Sequence, residues 1–494
     1  MPGVGRIPNT SHRAGAGLTE KSLRQLVLDG VVWFTAAKFL SQAISWASTV
    51  YVMRILSPSD YGLMAMAWVY IGFISLFNEA GLGAAIIQRK DLSQSDLSSI
   101  CWGVLVINLA LCLFALLSAS LVASFYEEPR VADVLRVGSI AFIIRGVSLV
   151  PNNILARDLA FSKQSQADLS ANISSAVATL WLAMEGFGVW SLVLGILLRD
   201  VVKSLLSFVF HPWKPSLSFS FSKVKGLVQF GAKVATARVL WYLSANADLL
   251  IAGKMLGKTQ LGYYSVAAQL AAIPVDKIVS TITYVAFPAL SKVQDDPSTL
   301  RRYFLKIVKV VAFAMFPACW GIYLLAESAV PLFLSEKWLP AVLPLQILSM
   351  VAACRAIQAI NAPLEMAVGR AGIALLNVTI IGSVMALSFF VGSSYGLEGL
   401  AYAWLAFPFV FLITTSITVR LIGLSLAEYF KGLTHPFLGT GFMVLAVLTG
   451  QKLLPEGFAA QVGGSVLLGI ASYLLYYVLF NRQMLVEVRS TLRR

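Results

Sequence analysis

Apolar stretches of membrane-crossing length recur along the whole chain, and they constrain its fold more than any other feature. A helix needs about 20 residues, each rising 1.5 Å, to cross a hydrocarbon layer roughly 30 Å thick. Only 13% of the 494 residues are charged and 58% are hydrophobic, whereas a soluble domain carries about a quarter charged residues. The sequence therefore predicts an all-α integral membrane protein without a soluble domain of useful size.

Fourteen segments meet this criterion, and we expect each to form a transmembrane helix. They cover residues 30–53, 61–83, 100–121, 135–154, 168–184, 188–208, 227–250, 262–288, 310–327, 341–364, 373–392, 399–419, 435–450 and 461–480. Lys and Arg outside these segments number 23 on the side of the termini and 6 on the opposite side. Because cytoplasmic loops carry the excess of positive charge, both termini are expected in the cytoplasm.

An internal repeat at an offset of 200 residues indicates two related halves. Residues 54–62 align with residues 254–262, and each segment is expected to connect two helices at the outer face. A second similarity pairs residues 186–190 with 396–400, ahead of the sixth and twelfth helices. Corresponding helices keep the same orientation in both halves. The repeat is therefore parallel, which is typical of an alternating-access transporter.

The repeat predicts two six-helix lobes followed by two further helices. We expect a cytoplasmic N-terminal segment at 1–29, a first lobe at 30–210, a cytoplasmic linker at 211–226, a second lobe at 227–420, helices 13 and 14 at 421–480, and a cytoplasmic tail at 481–494. The longest connections, near 209–226 and 289–309, are too short to fold as an enzyme domain.

Basic residues lie inside the predicted spans, where a charge facing lipid costs about 2.5 to 3.5 kcal/mol. The candidates for lining a hydrated substrate cavity are Lys38, Arg145, Arg199, Lys203, Lys233, Arg238 and Arg355. Among these, Lys38, Arg238 and Arg355 are the expected main contacts of the substrate. The acids are fewer, and the candidates for ion coupling are Glu79, Asp200 and Asp248. A membrane interior with net positive charge suits an anionic substrate.

Helical spacing indicates a polar face on the first and the seventh helix. In the first helix the face consists of Thr35, Lys38, Gln42, Ser45 and Thr49, which follow steps of three and four residues. In the seventh helix it extends from Lys233 to Asp248. We therefore expect a central cavity lined by helices 1, 2, 7 and 8, with these two faces opposite each other.

Several kinds of site find no support in the sequence. The four cysteines lie within apolar runs without Cys-x-x-Cys spacing, and the three histidines are isolated. The Lys and Arg residues are dispersed, whereas a nucleic-acid binder gathers them into one patch. We expect no cofactor, no metal, no nucleic-acid partner and no enzymatic activity.

Four segments have patterns that are familiar from one family. They are LSPSDYGLMAMAWVYIGFISLFNEAGLGAAIIQRKDL (56–92), SANADLLIAGKMLGKTQLGYYSVAAQLAAIPVDKI (244–278), FPALSKVQDD (287–296) and RAIQAINAPLEMAVGR (355–370). Over residues 20–430 the chain resembles the polysaccharide transport family of the MOP flippase superfamily. Asp248 and Arg355 lie in matching segments, and Glu79 stands where family members often have Asp.

The resemblance implies a V-shaped, two-lobed helical transporter in the bacterial inner membrane. It would flip undecaprenyl-pyrophosphate-linked oligosaccharide repeat units during exopolysaccharide or lipopolysaccharide biosynthesis. The implied ligands and partners are this lipid-linked oligosaccharide, membrane lipid, a coupling ion (H⁺ or Na⁺), and a polysaccharide polymerase or export machinery.

Two other functions remain open from the residues alone. A multidrug or organic-cation antiporter of the same superfamily would favour an acidic and aromatic pocket. A membrane glycosyltransferase or polymerase would need catalytic acids in a sizeable loop. The basic residues inside the spans favour the flippase over the first alternative, and the short loops favour it over the second.

Overall fold

The protein is described here by a computed structural model, which covers residues 42, 44–78, 86, 93–158, 160–218, 238–455 and 457–486. Within these ranges the chain is almost entirely helical and has no strand. The candidates Lys38, Glu79 and Lys233, the segment 1–29, and parts of the predicted linker and tail lie outside the described residues.

Helices α1 to α7 form the first lobe. They are α1 (44–55), α2 (Pro58–Ser75), α3 (Gln94–Tyr126), α4 (Arg130–Gly138), α5 (Ile140–Arg157), α6 (Phe161–Met184) and α7 (Val189–Phe210). Helix α5 packs against α3 and α7, and α7 packs along α6. These contacts bring charged residues from three separate stretches of sequence into one region of the lobe.

Helices α8 to α16 form the second lobe, and α17 and α18 follow it. They are α8 (238–245), α9 (Ala247–Pro274), α10 (Ser280–Ser291), α11 (Pro297–Phe333), α12 (Val342–Gln358), α13 (Asn361–Ala367), α14 (Ala371–Ser393), α15 (Gly396–Ala403), α16 (Phe407–Arg420), α17 (Leu426–Gln451) and α18 (Phe458–Phe480). The final pair packs on α11 of the second lobe.

Many of these helices have the length and hydropathy of membrane spans. Nine such stretches occur among the described residues, and Gln94–Tyr126 is the most apolar of them. The protein is therefore a multi-pass membrane protein with the predicted all-helical fold. The total of fourteen spans stays a prediction.

Reciprocal side-chain caps set where several helices begin. Ser57 starts α2 by accepting a hydrogen bond from the Asp60 amide, while the Asp60 carboxylate accepts one from the Ser57 amide at 3.0 Å. Ser93 and Asp96 make the same pair at the start of α3. Such pairs satisfy amide groups that the first turn of a helix leaves without a partner. In α2 this cap fixes the helix start next to the junction of the two lobes.

Two glycines let the lobes touch backbone to backbone where α2 crosses α9. A methyl group on Gly62 would lie 1.7 Å from the Lys258 carbonyl oxygen, and one on Gly262 would lie 1.8 Å from the Pro58 carbonyl oxygen. Only glycine permits such an approach. Pro58 and Gly62 align with Lys258 and Gly262 at the predicted offset of 200 residues. Each half therefore contributes the same contact to the other, and we call these four residues the glycine crossing.

Candidate functional site

The largest polar space between the lobes is a central cavity of about 550 Å³. Its lining comes from α1, α2, α6 and α7 of the first lobe and from α8 and α9 of the second. The four helices expected to line a cavity, the first, second, seventh and eighth spans, all contribute. The fifth and sixth spans, here α6 and α7, were not expected and contribute as well.

Two residues of the polar face predicted on the first helix lie at this cavity. Ser45 and Thr49, one turn apart on that face, line its wall, and Ser48 hydrogen-bonds to the Ala176 carbonyl oxygen on α6. Because successive polar residues recur every three or four positions, the rest of the helix surface stays apolar for packing.

The face predicted on the seventh helix is arranged differently. Tyr242 and Asn246 line the cavity, whereas Asp248 does not. Tyr242, Asn246 and Leu249, which line the cavity, follow steps of four and three residues and therefore share one side of the chain. Asp248 comes two residues after Asn246 and so faces another direction.

A second cavity of about 450 Å³ lies inside the first lobe and carries the charges. It is lined by polar and charged side chains that include Arg145, Asn172, Arg199, Asp200 and Lys203. Asn172 and Arg199 also line the central cavity, so the two spaces share a wall. We call this second space the first-lobe cavity.

Ion pairs hold the basic side chains of the first-lobe cavity in place. Asp200 is only 6% exposed in its side chain and lies 2.6 Å from Arg145 Nε and 3.4 Å from an Arg199 guanidinium nitrogen. Lys203 Nζ lies 2.7 Å from Asp168 Oδ1. Three cations face two carboxylates, so the described cluster keeps one net positive charge. Because the basic side chains are 30 to 40% exposed, they can also reach an anion in the cavity.

Some ion pairs of this cluster join residues that are adjacent in the sequence, and others join separate helices. The proximity of Asp200 to Arg199 follows from the sequence, but the pairing of Arg145 with Asp200 joins α5 to α7 across 55 positions. Asp168 was not among the candidates, although it pairs with Lys203. Its position near the start of a predicted span was the only signal that could have drawn attention to it.

The two expected main contacts that can be located lie away from these cavities. Arg238 is exposed at the first described turn of α8, and Arg355 lies on α12; neither lines the central or the first-lobe cavity. The Arg355 guanidinium carbon stands 4.6 Å from the centre of the Trp404 ring, a cation–π distance. The structure thus brings Arg145, Arg199 and Lys203 together in their place.

Asp248 belongs to a buried cluster in the second lobe. Its carboxylate accepts hydrogen bonds from the Tyr264 hydroxyl at 2.7 Å and from the Leu249 amide at 2.9 Å. Trp404 Nε1 donates in turn to the Tyr264 hydroxyl oxygen at 2.6 Å. Asp248 is therefore fully engaged with neutral donors inside its own lobe.

Polar contacts surround the glycine crossing and join the lobes at the same end. Lys254 and Lys258 of the second lobe lie 2.6 and 2.7 Å from Glu127 and Glu128 of the first. Trp338 Nε1 donates to the Met53 carbonyl oxygen at 2.8 Å. This end of the molecule is closed, and separating the lobes there requires all of these contacts to break.

The fold and sequence place the chain among known proteins. It superposes on the lipid II flippase MurJ in an inward closed conformation with a TM-score of 0.73 at 15% identity, over 92% of this chain and 100% of that one. The chain therefore shares the fold of that structure.

The family follows from the sequence comparison. The family described as polysaccharide biosynthesis protein matches residues 51–343, and the chain belongs to that family. It is 26% identical to the teichuronic acid biosynthesis protein TuaB of Bacillus subtilis over 96% of this chain and 99% of TuaB. It is 28% identical to the lipopolysaccharide biosynthesis protein WzxC of Escherichia coli over 68% of this chain and 69% of WzxC. The resemblance inferred from the sequence is confirmed.

Proposed function

We propose that the protein is a flippase for oligosaccharide repeat units carried on undecaprenyl diphosphate. It acts in the bacterial inner membrane during exopolysaccharide or lipopolysaccharide biosynthesis, with no covalent step, metal or cofactor. The observation that carries the proposal is the first-lobe cavity, which holds Arg145, Arg199 and Lys203 and meets the central cavity between the lobes at Arg199. The named roles of TuaB, WzxC and MurJ support the same class of substrate.

The chemistry of the cluster suits a diphosphate headgroup. A diphosphate carries compact negative charge that hydrocarbon rejects, and guanidinium groups offer both counter-charge and paired donors. Asp200 positions Arg145 and Arg199 and also weakens their attraction for an anion. That weakening is useful, because a substrate held too tightly on one side of the membrane cannot leave on the other. The polyprenyl chain would stay in lipid while the headgroup crosses.

The glycine crossing is the proposed outer gate. With both termini in the cytoplasm, the connections at 54–62 and 254–262 lie on the outer side, where the lobes are closed by Gly62, Gly262 and the two Lys–Glu pairs. The described conformation is then one that is closed at the outer side. Transport would require the lobes, 30–210 and 227–420, to rock about the cavity so that the crossing opens.

Two parts of the proposal concern partners. Asp200, Asp248 and Glu79 remain candidates for coupling to H⁺ or Na⁺, and of the two that the structure describes, Asp200 is the one that lines the first-lobe cavity. Delivery of the flipped unit to a polysaccharide polymerase or export machinery would complete the pathway step.

Flipping by the purified protein in proteoliposomes tests the proposal. Fluorescently labelled undecaprenyl-diphosphate oligosaccharide should move between leaflets with the wild-type protein, and Arg199→Gln should slow it by about tenfold, the loss expected for one charge-assisted contact. Arg302→Gln, at an exposed position on α11, is the matched control and should transport normally. Wild-type protein that is folded and inserted yet moves no lipid-linked oligosaccharide would contradict the proposed function.

A further inference from the structure

A buried glutamate in the second lobe lies outside every site described above. Glu365 is on α13, near the end of the described lobe that carries Arg370 and Arg420, and is 1% exposed. The helices packed around it are α10, α12, α14 and α16. Burial this complete is rare for a glutamate unless an opposite charge accompanies it.

The carboxyl group is held by neutral partners from two other helices. Glu365 Oε1 accepts a hydrogen bond from Asn377 Nδ2 on α14 at 2.6 Å. It also lies in hydrogen-bond contact with the Thr418 hydroxyl on α16. Asn377 and Thr418 are themselves 3 and 0% exposed, so the whole group lies in the packed interior.

No charged side chain on the described parts of the surrounding helices forms an ion pair with this carboxyl group. The charged and titratable residues of those helices and their ends are Tyr284 on α10 and Lys292 at its end, Cys354 and Arg355 on α12, Arg370 and Tyr395 at the two ends of α14, and Arg420 at the end of α16. Arg370 and Arg420 are exposed, and within the described part of the chain Glu365 has no salt bridge. An ionised carboxylate here would lack a counter-charge, which costs several kcal/mol.

The hydrogen-bond geometry accommodates a neutral carboxyl group as well as an ionised one. The Thr418 oxygen contacts Glu365 and lies 3.0 Å from the Thr414 carbonyl oxygen, but a hydroxyl has a single proton to donate. When Glu365 is ionised, that proton points to the carboxylate. When Glu365 is protonated, the carboxyl group donates to the Thr418 oxygen, and Thr418 donates to the Thr414 carbonyl.

A polar track leads from Glu365 toward a less buried part of the lobe. Asn361, one helical turn before Glu365, donates to Gln358 Oε1 at 3.1 Å and to the Thr415 hydroxyl at 3.2 Å. Gln358 is half-buried, unlike the other members. Hydroxyl and amide groups at one-turn intervals offer a route for a proton that an apolar interior would not.

We propose that Glu365 is a proton-binding site of the second lobe, with Asn377 and Thr418 as the groups that hold it in either charge state. Binding transfers one proton from water to a carboxylate oxygen and changes the charge of the site from −1 to 0. The ligand is a proton and not Na⁺, because an amide N–H and a hydroxyl already point at the carboxylate and would repel a metal cation. The site deepens the proposed function by assigning the coupling ion, and the transport part of its test rests on that function.

Infrared difference spectroscopy on the full chain in lipid nanodiscs tests the site without any transport assay. At neutral pH, where exposed carboxylates are ionised, the wild-type protein should show a protonated-carboxyl C=O band that disappears on alkaline titration. The intensity of this band should fall by the contribution of one carboxyl group in Glu365→Gln. It should be unchanged in Glu327→Gln. Thr418→Val keeps the carboxyl group and should shift the titration midpoint toward higher pH, because the ionised form loses a donor.

The outcomes separate the proton site from the transport function. A band identical in wild type and Glu365→Gln would overturn the assignment, and so would a change driven by Na⁺ at fixed pH. If the proteoliposome assay shows flipping, a pH gradient should accelerate the wild type and Glu327→Gln, and Glu365→Gln should lose that acceleration. Retained acceleration in Glu365→Gln would reject coupling through this site, whereas absence of flipping in the wild type would reject the function and leave the infrared result standing.

Discussion

A buried acid in each lobe has a different kind of partner. In the first lobe, Asp200 is shielded from solvent but lies against Arg145 and Arg199 at the edge of a cavity. In the second lobe, Glu365 is equally buried, and its side-chain partners among the described residues are the neutral Asn377 and Thr418. An acid with a counter-charge stays ionised and fixes the basic side chains around it, whereas an acid with neutral partners favours the protonated state. The first arrangement suits binding of an anion, and the second suits binding of a proton.

The largest effect is expected at the junction between the lobes. Gly62→Ala would place a methyl group against the Lys258 backbone, which cannot move aside without separating α2 from α9. Overpacking of this kind costs about 3 kcal/mol, and the closed outer end should open. Thermal unfolding and cysteine labelling near residue 57 from outside measure both consequences.

Gly262→Ala is the matched test because the repeat makes the contact reciprocal. It should destabilise the protein about as much as Gly62→Ala does. Gly321→Ala, where an added methyl meets nothing within 4 Å, should be tolerated. Different behaviour of the two crossing variants would show that the halves are not equivalent at this contact.

The next largest effect is expected for Asp200→Asn, which tests the buried acid of the first lobe. Removing the carboxylate charge leaves Arg145 and Arg199 without their counter-charge, and breaking a buried pair costs about 3 to 5 kcal/mol. Since the arginines are partly exposed, we expect about 2 kcal/mol. The free energy of unfolding in detergent reports this loss. An unchanged stability would mean that the pair does not hold the cavity together.

Glu365→Gln tests the buried acid of the second lobe and should leave the stability nearly unchanged. The amide has the shape of a protonated carboxyl group, so its stability should lie within about 0.5 kcal/mol of the wild type. The free energies of unfolding of this variant and of Asp200→Asn should be measured in the same experiment, so that the acids of the two lobes are compared directly. A loss as large as that of Asp200→Asn would indicate an ionised Glu365.

The smallest expected effect is the pH dependence of stability that comes from the Lys254–Glu127 pair. The hydrogen bond from Lys254, and then the charge of Lys254, lower the pKa of Glu127. A carboxyl group with a lowered pKa stabilises the folded state above its unfolded pKa of about 4.3, and that contribution is lost as the pH falls through the folded value. The melting temperature of the wild type should therefore exceed that of Glu127→Gln slightly at neutral pH, and the two should converge in acid.

The sequence predicts the fold well because its main determinants are local or periodic. Apolar length identifies the helices, and the repeat at an offset of 200 residues places Gly62 and Gly262 at equivalent positions of the two halves. The site is harder to predict, since it depends on which helices pack together. The partner of Arg145 lies 55 positions away, and the hydrophobic pattern does not show that Tyr242 and Asn246, and not Asp248, face the central cavity.

Glu365 shows a further limit of reasoning from apolar length. The tenth span was expected to end at residue 364, so a buried acid at the next position counted as part of a loop. In the structure the chain continues as α13 inside the lobe. Its partners Asn377 and Thr418 appeared as ordinary polar residues of apolar helices, because a hydrogen-bonded cluster of three helices has no spacing in the sequence.

The most direct test of the account is substrate selectivity at Arg199. Flipping of two labelled lipids that carry the same oligosaccharide, one through a diphosphate and one through a monophosphate, can be compared in the same proteoliposomes. If the cations of the first-lobe cavity recognise the diphosphate, the wild type should prefer it, and Arg199→Gln should reduce that preference by about tenfold, with Arg199→Lys in between. An unchanged preference in a well-folded Arg199→Gln protein would contradict the claim that this cavity carries the substrate's charge.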